Sequence, residues 1–254
     1  MTNSWFVAPN LNRDADSRLF CFPYAGGGPS VFRRWPHFFP PNIDIFITQL
    51  PGRGSRLQEP PFTQLRLLVD AMAEEILPLL DRPFAFFGHS MGALIIFELA
   101  RKLRRENAPQ PFHLFVSGYR APHLPYVGPR ASDLPEPEFI EALRKLNGTP
   151  EELLENTGVI QVVIPVLQAD FAVCQTYLYY NEAPLGCPIS AYGGLKDADV
   201  SRAELEAWRD QTSAPFVVRM LPGDHFFLHA YEFLLLESLL KELYRNSMRV
   251  AQGR

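Results

Sequence analysis

The run Phe84-Ala-Phe-Phe-Gly-His-Ser-Met-Gly92 restricts this chain more than any other stretch. Apolar residues suited to a buried strand lead into G-x-S-x-G, and a helical pattern from Met91 to Arg105 leads out. Between strand and helix the turn is so sharp that side chains at the flanking positions would strike neighbouring backbone. The serine itself is forced into a strained conformation, with its hydroxyl held above the strand end. There it lies at a helix N-terminus, where peptide dipoles favour developing negative charge. Ser90 is therefore the candidate nucleophile. Arg101, Lys102, Arg104 and Arg105 close the helix at the end where cations are favourable.

Further apolar runs read as strands: Leu19 to Phe22, Ile43 to Leu50, Phe112 to Val116, Ile189 to Tyr192 and Phe216 to Leu221. Their near-continuous apolar character suits strands buried on both faces of a parallel sheet. Helical periodicity lies between them at Leu65 to Leu80, Arg202 to Gln211 and Phe227 to Arg245. Alternating strand and helix imply an α/β fold, a doubly wound and mostly parallel sheet. The 254 residues are expected to form one domain, 1–254. From about 123 to 180 the rhythm breaks into helical patterns alone (Glu136 to Leu146, Glu151 to Asn156, Ile164 to Tyr180). Such an insertion would cover the strand ends, and a lid is expected there.

The formal net charge of -4 argues against a nucleic-acid partner, which would require a basic footprint. No basic, apolar leader opens the chain, and Phe233 to Leu240 is short and interrupted by Glu237, so no membrane segment is expected. Cys21, Cys174 and Cys187 are scattered, with neither a disulfide framework nor a metal spacing. A cytoplasmic monomer without metal or cofactor is the expectation.

A serine hydroxyl needs a base that is itself held in orientation. Of the six histidines, only His225 follows a late strand closely, in Pro222-Gly223-Asp224-His225. His229 four residues on suggests a metal pair, but the intervening glutamate of a metalloprotease is missing. His89 reads as structural, and His37, His113 and His123 as surface or satisfied core positions. The orienting acid is expected after Ile189 to Tyr192. Asp197 is the first choice; Asp199 is the alternative, with helix capping as its plainer role. Asp224 reads as a turn residue. For the oxyanion, the backbone amide of Met91 is one expected donor. The other comes from Pro23-Tyr24-Ala25-Gly26-Gly27-Gly28, most naturally at Ala25. That loop lacks the spacing of either common phosphate-binding motif.

Five ordered segments are similar to a known family: Leu19 to Gly28, Gln49-Leu-Pro-Gly-Arg-Gly-Ser-Arg56, Phe87 to Gly92, Gly193 to Val200, and Gly223-Asp-His-Phe-Phe-Leu228. Over nearly its whole length the chain resembles the type II thioesterases that accompany polyketide and nonribosomal peptide synthetases. Medium-chain fatty acyl carrier thioesterases are related. The resemblance implies an α/β-hydrolase fold, a triad of Ser90, Asp197 and His225, and oxyanion amides at Ala25 and Met91. It also implies a mobile lid and, as partners, acyl or peptidyl carrier proteins bearing phosphopantetheine thioesters. Tyr24 stands where many members carry His, and Asp224 where many carry Gly. A medium-chain acyl carrier thioesterase or a small-molecule carboxylesterase would use the same triad. Arg33, Arg34, Arg53 and Arg56 are candidate contacts for an acidic carrier.

Overall fold

The computed structural model describes residues 4–126, 131–146 and 157–252. Seven strands form one sheet: β1 (Phe6–Val7), β2 (Ser17–Phe22), β3 (Ile43–Thr48), β4 (Phe84–His89), β5 (His113–Ser117), β6 (Ile189–Gly194) and β7 (Phe216–Leu221). Their spatial order is β1-β3-β2-β4-β5-β6-β7. Only β1 runs antiparallel to its neighbour; β2 through β7 pair in parallel. The sequence order reverses around β2 and β4, so a crevice opens above their C-terminal ends.

Strands β2 to β6 are buried at every position, which explains their apolar runs. The two-residue period divides their side chains between two cores. Phe20, Phe22, Phe84 and Phe86 pack on one side with helices α1 (Leu65–Ile76) and α2 (Met91–Arg105). Leu19, Cys21, Ala85 and Phe87 pack on the other with Phe32, Trp35 and the long C-terminal helix through Leu235 and Leu239. Burying a side chain of this size is worth about 1.5–3 kcal/mol, so the alternation pins the register strongly. The apolar sequence of β7 suggested burial on both faces. As an edge strand it is instead half-buried throughout, and Arg219 on it pairs with Glu242.

Several helical expectations end early for local reasons. Leu65 to Leu80 is α-helical only to Ile76; a 3-10 turn containing Pro78 follows, because proline supplies no amide to continue the ladder. Arg202 to Gln211 divides into α5 (Arg202–Glu206) and a 3-10 turn. Phe227 to Arg245 divides at Tyr231 into α6 (Phe227–Ala230) and α7 (Glu232–Gln252).

Between β5 and β6 no strand occurs among the described residues. Helix α3 (Glu136–Leu146) is as expected. The helix expected at Ile164 to Tyr180 runs instead as α4 (Thr157–Gln175) and contains Pro165. The expected turn of helix at Glu151 to Asn156 lies outside the described residues. Phe139, Leu143, Ile160, Ile164 and Leu167 form a small apolar cluster of their own, apart from the two cores of the sheet.

Candidate active site

Ser90 follows β4 directly and caps α2, with φ 52° and ψ −118°. This is one of two non-glycine residues with positive φ among those described, and such a conformation costs about 1–3 kcal/mol. The surroundings enforce it. A Cβ on Gly88 would come within 2.2 Å of the Gly92 carbonyl oxygen, and one on Gly92 within 2.1 Å of the Phe22 carbonyl oxygen. The Ser90 amide donates to the Ser117 carbonyl at 2.7 Å, tying the turn to the end of β5. Met91, the first residue of α2, is fully buried; amides in a first helical turn have no carbonyl partner within the helix.

Asp197 and His225 come from loops after β6 and β7. Oδ2 of Asp197 lies 2.9 Å from Nδ1 of His225. The acid side chain is wholly buried, while the imidazole is 15% exposed. The other carboxylate oxygen, Oδ1, accepts from the amides of Asp199 and Val200 at 2.9 and 3.1 Å. A carboxylate satisfied on both oxygens holds its partner ring firmly. The two loops are also joined through backbone. Leu195 N–H donates to the Leu221 carbonyl and Lys196 N–H to that of Gly223, each at 2.8 Å.

Asp199 is not the helix cap. Ser201 takes that position, in a capping box with Glu204. Asp199 instead reaches the edge of the acid–base pair: its carboxylate, that of Asp197 and the His225 ring each have a ligand atom within 4.8 Å of the others. Burial raises the Asp199 carboxyl above its ordinary range, against the pull of His225 and with help from Asp197. Asp224 is the turn residue expected, its Oδ1 accepting from the Phe226 amide at 2.9 Å.

Ser90, His225, Ala25 and Met91 line one cavity of about 540 Å³. Asp199 and Tyr24 line it as well, and the β5–β6 segment contributes Leu143, Leu167 and Phe171. Gly118, Tyr119 and Arg120 also face it. Sequence reading overlooked these three, although the position just past the C-terminal end of β5 was the available signal. The Tyr24 hydroxyl lies 3.0 Å from Nε2 of His229, so His229 is engaged by a residue of the cavity wall without lining the cavity itself.

Of the remaining histidines, His37 is exposed and the other three are packed into the fold. His89 is fully buried, its Nδ1 2.9 Å from Ser117 Oγ. Burial, with His225 and His229 adding to it, keeps its ring neutral by lowering its pKa well below the usual value. His113 faces Ser190 Oγ at 2.9 Å, and burial lowers its pKa to about 3. Gln211 sits 2.8 Å from Nδ1 of His123.

Two of the four arginines proposed for carrier contact are elsewhere. Arg56 is buried and pairs with Glu59. Arg53 is buried against Asp170 of α4 in a two-pronged ion pair of 2.6 and 2.7 Å. Its partner is 117 residues away, which no local pattern reveals. Arg33 and Arg34 remain exposed.

The profile of the Thioesterase domain family matches residues 17–244. The gramicidin S biosynthesis protein GrsT of Aneurinibacillus migulanus is 51% identical over 95% of this chain and 94% of its own. The RedJ thioesterase of the prodiginine pathway in Streptomyces coelicolor superposes with a TM-score of 0.84 at 40% identity, over 90% of this chain and 86% of that one. The type II thioesterase BorB from the borrelidin cluster gives a TM-score of 0.87 at 29% identity, over 96% of this chain and 99% of that one. Sheet order, elbow and relatives agree: the chain belongs to the thioesterase domain family, enzymes of α/β-hydrolase fold that hydrolyse thioesters.

Proposed function

We propose that the chain is an editing type II thioesterase. It removes stalled or wrong acyl groups from the phosphopantetheine arms of acyl or peptidyl carrier proteins in polyketide or nonribosomal peptide assembly. The reading is carried by the 2.9 Å contact from buried Asp197 to His225, whose ring lines the cavity that Ser90 also lines. Ser90 Oγ attacks the thioester carbonyl while Nε2 of His225 takes its proton. Nδ1 is committed to Asp197, so Nε2 is the ring nitrogen left for that exchange. The amides of Ala25 and Met91 receive the oxyanion. A thiol with a pKa near ~8.5 leaves readily, so the proton returned by His225 matters less there than in ester cleavage. Water, deprotonated by His225, then attacks the acyl-enzyme and releases the free acid.

The segment 123–180 acts as a lid: Leu143, Leu167 and Phe171 form part of the cavity wall above Ser90. The domain is single, 1–254. We place the protein in the cytoplasm as a monomer acting on carrier-bound substrate. Among the described residues no helix is long and apolar enough to cross a membrane. Arg33 and Arg34, both exposed and the latter 3.6 Å from Glu232, are candidate contacts for an acidic carrier. The test is hydrolysis of a panel of acetyl, propionyl, longer acyl and aminoacyl carrier proteins beside simple oxygen esters, together with fluorophosphonate labelling. Preference for carrier thioesters and labelling at Ser90 support the reading. Equal kcat/KM on oxygen esters, or a label elsewhere, overturns it.

A further inference from the structure

We propose that Asp170 of α4 is a positioning residue for the oxyanion loop, so that the oxyanion hole is complete only when α4 is seated. The inference rests on the assignment of Ala25 as an oxyanion donor. Tyr24 to Gly27 form a tight turn: the Gly27 amide donates to the Tyr24 carbonyl at 2.9 Å, and Gly26 has φ +78°. Positive φ at the third residue, with an ordinary alanine at the second, is the pattern of a type II turn. In a planar trans peptide the amide points opposite to its carbonyl. Holding the Tyr24 carbonyl inside the turn therefore aims the Ala25 N–H outward.

The central peptide, between Ala25 and Gly26, is the weak point of such a turn. Type I and type II differ by a flip of that unit, which exchanges the directions of its carbonyl and its amide. Asp170 selects one of them. Its Oδ2 accepts from the Gly26 amide at 2.7 Å, and the same carboxylate accepts two bonds from Arg53. Arg53 in turn donates to the Gly27 carbonyl at 3.2 Å. Asp170 and Arg53 are both buried, so the bonds form away from competing water. The Leu167 side chain of α4 rests on the same turn: a Cβ on Gly26 would lie 2.5 Å from Leu167 Cδ2. Leu167 and Phe171, flanking Asp170 on α4, line the substrate cavity. The Tyr24–Gly27 bond aims the Ala25 N–H in either turn type, so what α4 fixes through Asp170 is where the turn and its donor sit relative to Ser90 and Met91.

The experiment uses the full-length enzyme with an acetyl-pantetheine thioester and measures kcat and KM separately. Asp170→Ala is expected to lower kcat by about 10², the cost of a donor misplaced by about 1 Å, with KM within about threefold. Asp170→Asn keeps an oxygen for the Gly26 amide and is expected to lose less than about tenfold. The Asp170→Ala/Arg53→Met double variant carries no unpaired buried guanidinium and is expected to be as slow as Asp170→Ala. Recovery of the double variant, an Asn variant as slow as Ala, or an effect on KM alone overturns the inference. An acyl trifluoromethyl ketone, whose adduct carries an oxyanion, keeps the two assignments apart. If it binds the wild type no better than the matching methyl ketone, the oxyanion-hole reading itself fails. If it binds tightly and Asp170→Ala leaves kcat unchanged, only the role of Asp170 fails.

Discussion

Gly92→Ala offers a severe test of the elbow geometry. The added Cβ would stand 2.1 Å from the Phe22 carbonyl oxygen and 2.9 Å from that of Pro23. An ordinary carbon–oxygen contact is about 3.3 Å, so backbone must separate by about 1.2 Å. Both obstructing atoms are main chain, and neither can rotate away. Helix propensity favours alanine over glycine by about 1 kcal/mol, while overpacking of this kind costs about 1–3 kcal/mol or more. The clash should win. The obstructing strand end leads into Tyr24 and Ala25, so separation would draw the Ala25 amide away from Ser90 and Met91. A misplacement of about 1 Å is worth about 10²-fold in rate. We expect kcat on an acyl thioester, followed by thiol release, to fall by about that factor. At the upper end of that range the net loss is about 2 kcal/mol, so the melting temperature should fall by about 4–8 °C, at about 2–4 °C per kcal/mol for a chain of this size. Gly186→Ala is the control: nothing lies within 4 Å of its added Cβ, and it should match the wild type in both measurements. A Gly92→Ala enzyme with wild-type kcat and melting temperature would refute the argument.

Asp197→Asn should lower kcat by about 10⁴, as comparable changes do in triads, whereas Asp199→Asn should lower it by less than about tenfold; the reverse ranking in steady-state kinetics would reassign the acid. Ser90→Ala should lower kcat by on the order of 10⁶ and abolish acyl-enzyme detected by intact mass. His113 is held neutral in the fold with a pKa of about 3. Its unfolded ring takes a proton below about pH 6.5, so its stabilising contribution is complete above that pH and lost progressively towards pH 3. Between pH 7.5 and 5 this amounts to about 2 kcal/mol, and His113→Gln should flatten the dependence of urea unfolding on pH by that much. Equal slopes for both proteins would show that His113 does not carry the effect.

The elbow was legible because its constraints are local. Two glycines, a strand and a helix within a few residues leave few alternatives, and Ser90 takes the strained conformation they demand. The Asp197–His225 pairing was legible through order along the chain, since both residues follow neighbouring parallel strands whose C-terminal ends share one edge of the sheet. Asp197 was preferred to Asp199 for its closeness to the end of β6, and the capping role expected for Asp199 falls instead to Ser201, which with Glu204 three residues on spells a capping box. The two-residue strand β1 is too short to show a period. Arg53 illustrates the harder limit. A loop arginine reads as solvated until its acid, distant in the chain, is placed beside it by the fold.

The zipped loops beyond β6 and β7 have a consequence for how enzymes of this shape diversify. Asp197 and His225 are carried as one cassette, its halves stitched by main-chain bonds independent of side-chain identity. The segment between β5 and β6 enters upstream of that cassette and downstream of the elbow, interrupting neither. On the function proposed above, lineages can therefore lengthen, shorten or repaint the roof of the cavity, changing which chains fit, while the Asp197–His225 pair stays in tune.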